Sequence, residues 1–160
     1  MTVTLARLAP LAALLVALPG CSSPPPSFVQ SATAHDELVV YRGMPRDIQS
    51  APTRDEPTMK VGDQTFYTGQ HRATGDDAKK LAKLLADPAV YQSHVSGKKC
   101  GGFHADYAVE WSGGGGPLRV LLCFGCNEVR AIEGNSVDVY DLTEEGEARL
   151  EPLLAKVVGP

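Results

Sequence analysis

Several things are scarce in this chain. Positive charge is not in surplus: 15 Lys+Arg stand against 19 Asp+Glu, a net charge of -4. A protein that grips a phosphate backbone carries a basic face, so nucleic acid is not an expected partner. Aromatic residues make up only 6% of the 160 residues. No apolar run reaches the roughly 20 residues of a spanning helix, which excludes a polytopic membrane protein. Heptads and a collagen-like period are missing, as is any internal repeat. There is no Gly-x-Ser-x-Gly, so no nucleophile elbow is defended. The remainder is ordinary for a folded globular chain, at 43% hydrophobic and 21% charged. With 16 Gly and 12 Pro, turns should be plentiful. The length suits one domain with a tail.

The N-terminus reads as an export signal. Residues 1–20 hold a single charge, Arg7, followed by the short apolar run Leu8 to Leu18 and the exit Leu18-Pro19-Gly20-Cys21. This exit resembles the lipobox of bacterial lipoproteins. Gly20 leaves room for a peptidase, and the Cys21 thiol is the nucleophile that takes a diacylglycerol. Each buried CH2 contributes about 0.8 kcal/mol, so two or three acyl chains such as palmitate hold a domain on a bilayer. The expected membrane partner is therefore reached through the N-terminal lipid. Ser22 follows Cys21, with no Asp to suggest inner-membrane retention, so an outer membrane is the better expectation where two membranes exist. Residues 21–37, with Pro24-Pro25-Pro26, read as an extended tether.

A single domain is expected over 38–160. Leu38 to Tyr41 is a strand candidate. Met59 to Tyr67 reads as a hairpin turning at Gly62-Asp63. Thr74 caps a helix with Ala78, Leu81, Ala82 and Leu85 at helical spacing and Lys79, Lys80 and Lys83 on the wet side. Asp87-Pro88 ends it. Tyr107 to Trp111, Leu118 to Leu122, Val129 to Ile132 and a last strand marked by Val137, Val139 and Asp141 form a four-strand meander. Thr143 caps a closing helix with Leu150, Leu153, Leu154 and Val157 on one side. The fold class expected is α+β, an antiparallel sheet with two packed helices.

With Cys21 assigned to lipid, three cysteines remain. Cys100 and His104 give C-x3-H, and after eighteen residues Cys123 and Cys126 give C-x2-C. Three thiols and one imidazole suit tetrahedral zinc. The same residues also suit disulfide chemistry, since an exported protein meets an oxidising compartment. Cys100 then bridges to either member of the C-x2-C, or that pair closes on itself as a redox motif. A thioredoxin-like site places its C-x2-C at a helix start, whereas Asn127 to Ile132 reads as a strand.

Four stretches carry a resemblance: Val40-Tyr41-Arg42-Gly43-Met44-Pro45, Phe66-Tyr67, Lys99 to Val109, and Leu122 to Val129. They resemble a group of uncharacterised exported bacterial proteins, which often have Leu at position 44 and Pro at 105. The resemblance implies a shared fold and a shared Cys/His site, and no activity.

Other titratable residues read as surface. Glu144, Glu145, Glu147 and Glu151 fall on the polar side of the last helix. His35, His71 and His94 have no spaced partner. Asp106 and Glu110 flank the cluster, though Glu110 should face away from Tyr107. Tyr107 and Trp111 alternate at strand spacing as core residues. The function expected is a membrane-anchored, non-catalytic binding or structural domain of the cell envelope, with the Cys/His cluster as a fold staple. The alternatives are a thiol-disulfide oxidoreductase and a zinc-binding protein that senses or delivers metal.

Overall fold

The computed structural model describes residues 28, 37–45, 56–113 and 116–159. The signal peptide expected over 1–20, the expected lipidation site Cys21 and His35 lie outside these residues. So do most of the tether and the central glycines Gly114 and Gly115.

Alternation builds the sheet. β1 (Leu38–Arg42) buries Leu38 and Val40 toward one core and Tyr41 toward another. β2 (Thr58–Val61) and β3 (Gln64–Tyr67) form the expected hairpin, with Gly62 at φ 61° in the turn. β4 (His71–Ala73) pairs with β1, and β5 (Tyr91–Ser93) pairs with the last strand. β6 (Tyr107–Gly113), β7 (Gly116–Cys123), β8 (Glu128–Glu133) and β9 (Ser136–Leu142) are the expected meander. It is the centre of a wider sheet, ordered β4-β1-β6-β7-β8-β9-β5 and antiparallel at every pairing. The fold is α+β.

Two helices cover one face. α1 (Gly75–Leu85) buries Ala78, Leu81, Ala82, Leu84 and Leu85 and leaves its lysines exposed. Thr74 occupies the cap position but its hydroxyl makes no capping bond. α2 (Glu144–Val158) is capped as expected: the Thr143 hydroxyl accepts from the Gly146 N–H at 3.0 Å. Leu81, Leu85, Leu150 and Leu154 meet Val40, Val109, Val120 and Val129 in the main core. The β2–β3 hairpin covers part of the opposite face, where Phe66 and Val61 pack on Tyr41, Ala108 and Leu121.

Two particulars depart from the sequence reading. Phe28, inside the expected tether, is 1% exposed and stacks edge-on against Tyr91 and Tyr140. The core therefore reaches back into the segment read as a spacer. On β9, Val137 and Val139 face outward, while Asp141 is 2% exposed. The buried apolar position of that strand is Leu142 instead.

The end of β1 fixes how the loops above the sheet are placed. The Gly43 N–H donates to the Asp106 carbonyl at 2.8 Å. A Cβ at Gly43 would lie 1.9 Å from the Ala105 carbonyl oxygen, so backbone meets backbone there and only glycine fits. Gly43→Ala is expected to destabilise the protein by about 1–3 kcal/mol, the usual cost of overpacking a closed contact. Urea denaturation measures it; an unchanged midpoint contradicts the close approach.

Candidate functional site

Residues 94–106 contain no helix and no strand. An irregular segment of this length needs fixed points, and the sequence supplies three. The first is Asp141. Its carboxylate accepts from Lys98 Nζ at 2.6 Å, His94 Nδ1 at 2.9 Å and the Val95 N–H at 3.0 Å. Lys98 Nζ also donates to the carbonyls of Cys126 and Asn127, at 2.7 and 3.2 Å. Burial pushes the Asp141 carboxyl up, but the hydrogen bonds from Lys98, Val95 and His94 and the Lys98 charge outweigh it, and it sits below the ordinary carboxylate range.

The second fixed point is covalent. Cys100 and Cys126 form a disulfide, with their Cα atoms 5.5 Å apart. This settles among the pairings left open by spacing. The four-ligand zinc arrangement of Cys100, His104, Cys123 and Cys126 is not the one formed, because two of its sulfurs are spent on each other and offer no thiolate. Among the described residues no group of three or more His, Cys, Asp or Glu side chains is placed to hold a metal ion. The C-x2-C is also not closed on itself. Cys123 stands outside the bond as a buried thiol, 1% exposed at the end of β7. Phe124–Cys126 is a single 3-10 turn, ended by Asn127 in the left-handed region at φ 50°, and β8 follows directly. Among the described residues the only helical segment that begins beside Cys123 is this three-residue turn.

Asp106 is the third fixed point. Its N–H donates to the Leu122 carbonyl and its carboxylate accepts from the Phe124 N–H, each at 2.8 Å. With the Gly43 bond, it joins the ends of β1 and β7 to the turn that carries Cys126. A cleft of about 340 Å3 opens at this junction. Arg42, His104, Asp106, Tyr107, Cys123 and Glu151 line it. Burial raises the Tyr107 hydroxyl above its ordinary pKa, and the charges of Glu151 and Asp106 add to this while Arg42 opposes it. Tyr107 also packs edge-on against Phe124.

Thus His104 and Cys123 line one cleft, while Cys100 and Cys126 are bonded to each other. Residues from three separate stretches, 42–45, 104–107 and 123–125, line this one cleft. Trp111 is core, at 3% exposed. Glu110 does face away from Tyr107, and pairs with Arg119 at 2.5 Å. Sequence reasoning missed Lys98 and Asp141, and treated His94 as partnerless. Alternation gave no signal for Asp141, because Val137 and Val139 on its side of β9 face outward. Pattern also missed the Arg42 contribution, which no motif announced. No family model, no curated protein and no solved structure matches the chain.

Two outcomes follow. Asp141→Asn should cost about 3 kcal/mol at neutral pH, because Lys98 then keeps its charge without a carboxylate. A depressed folded-state pKa means that this stability is present above the unfolded aspartate value, about 3.9, and is lost as pH falls through the folded one. Urea denaturation at graded acid pH should show that loss in the parent protein and a smaller one in the variant; parallel curves contradict it. Cys126→Ser should lower stability by about 3.5 kcal/mol, from the closure entropy of a loop of 26 residues. Denaturation with and without reductant measures the same quantity on the parent chain, and no effect of reductant would refute it.

Proposed function

We propose that this chain is a lipid-anchored envelope protein, acylated at Cys21, whose folded domain is a non-catalytic binding module held by the Cys100–Cys126 staple. The Cys100–Cys126 bond carries the proposal. Disulfides persist in oxidising compartments and are rare where thiols are kept reduced. An exported domain on a lipid tether belongs in such a compartment, and an outer membrane is the favoured one. Among the described residues no helix is long and apolar enough to cross a membrane, so attachment rests on the acyl chains. The binding role is supported by the cleft beside Cys123, a concave site with polar groups converging on it.

Detergent phase separation of the native protein tests the anchor. The parent chain should enter the detergent phase and Cys21→Ser the aqueous phase. Intact mass should show residues 1–20 removed, acyl chains added and one disulfide present. A protein that stays aqueous with its first twenty residues attached overturns the proposal.

A further inference from the structure

A second cavity shares Arg42 with the first. It holds about 480 Å3, and its walls include Arg42, Glu56, Tyr67, Thr68, His71 and Val158. Tyr67 is 6% exposed. Its hydroxyl is buried and has no hydrogen-bond partner among the described residues. A buried hydroxyl is normally bonded, because losing water without replacement is unfavourable. This one belongs to a residue in a cavity wall, from which a partner can arrive.

Arg42 lies beside it, its guanidinium carbon 4.8 Å over the Tyr67 ring centroid. Among the described residues that guanidinium makes one polar bond, a long one of 3.4 Å to Glu56. A stacked guanidinium with its other N–H groups unspent is preorganised for an oxyanion. His71 adds a further nitrogen donor. Thr68 is already engaged, its hydroxyl donating to the Pro57 carbonyl at 3.0 Å. Arg42 and His71 bring nitrogen donors to the wall, and among the described lining residues the one carboxylate is Glu56. The ring of Tyr67 and the side chain of Val158 give the cavity apolar wall as well. A bare inorganic ion would leave that wall unused.

We propose that this cavity binds a small organic anion, a carboxylate or phosphate monoester, with its charged group on Arg42 and Tyr67 and its apolar body toward Val158. Glu56 competes for Arg42 and acts as a placeholder that the ligand displaces. The site does not depend on the lipid anchor, so its failure and that of the anchor are separable.

Benzoate, phenyl phosphate and inorganic phosphate serve as probes on the full-length, disulfide-intact protein. Binding is followed by the backbone amide NMR shifts of Tyr67, Thr68, Gly69 and His71. The organic anions should give saturable shifts at these amides, tighter than inorganic phosphate; which of the two binds better assigns the charged group. Arg42→Gln should weaken binding at least about tenfold, the size of a lost charge-assisted bond. Glu56→Gln should tighten it. Tyr67→Phe should weaken binding without lowering the melting temperature of the unliganded protein. The proposal is overturned if neither organic anion gives saturable shifts at these amides, or if Arg42→Gln binds as the parent does. It is also overturned if Tyr67→Phe destabilises the free protein, since the hydroxyl would then have an internal partner.

Discussion

A carboxylate that is 2% exposed must be answered by donors, and Asp141 draws its donors from a single stretch of chain. Lys98, His94 and the Val95 N–H all come from the segment that has no secondary structure of its own. Water can no longer solvate the charge, so the segment has to stay. The arrangement is economical in chain length. One side chain on β9 holds the start of the segment, and Lys98 passes the constraint on to the Cys126 and Asn127 carbonyls. The sulfurs of Cys100 and Cys126 are thereby presented to each other.

The three fixed points differ in kind. The Asp141 network is electrostatic and weakens in acid. The disulfide is covalent and weakens only under reduction. The Asp106 bonds join backbone to backbone and one backbone N–H to a carboxylate, and reduction leaves them intact. Irregular segments of about a dozen residues are uncommon in small domains unless they carry function. Here the segment forms one wall of the cleft, with His104 and Asp106 in it, while β1 supplies Arg42 and β7 supplies Cys123. The sheet gives two walls that cannot move, and the segment is pinned against them.

Periodicity made much of this fold legible. α1 shows its Leu and Ala residues at helical spacing, the β2–β3 hairpin announces its Gly62 turn, β6 alternates, and β7 shows as an apolar run that is buried on both faces. β4 and β5 were not legible because three residues are too few to show a period, and His71-Arg72-Ala73 has no strand-forming side chain. Phe28 was hidden by its neighbours: after Ser-Pro-Pro-Pro-Ser, a lone aromatic reads as part of a linker. On β9 the valines suggested an inward face, yet β5 overlaps only Tyr140 to Leu142, and the outer half of the strand is left open. There the sheet edge has solvent on one side, and propensity outweighs burial in choosing Val137 and Val139.

The candidate site was legible in its residues and not in its bonds. Spacing named Cys100, His104, Cys123 and Cys126 together; the structure puts His104 and Cys123 on one cleft and joins Cys100 to Cys126. What spacing could not decide was which sulfurs meet. That choice depends on direction. Cys123 is still within β7 and its side chain obeys the pleat, which sends it into the interior. Cys126 lies past the strand end, where the 3-10 turn and the left-handed Asn127 let its side chain, also buried, turn to Cys100. Two residues between a pair of cysteines therefore mean little by themselves. The end of the strand falls between them, and one thiol becomes part of the cleft while the other becomes part of the staple that holds it open.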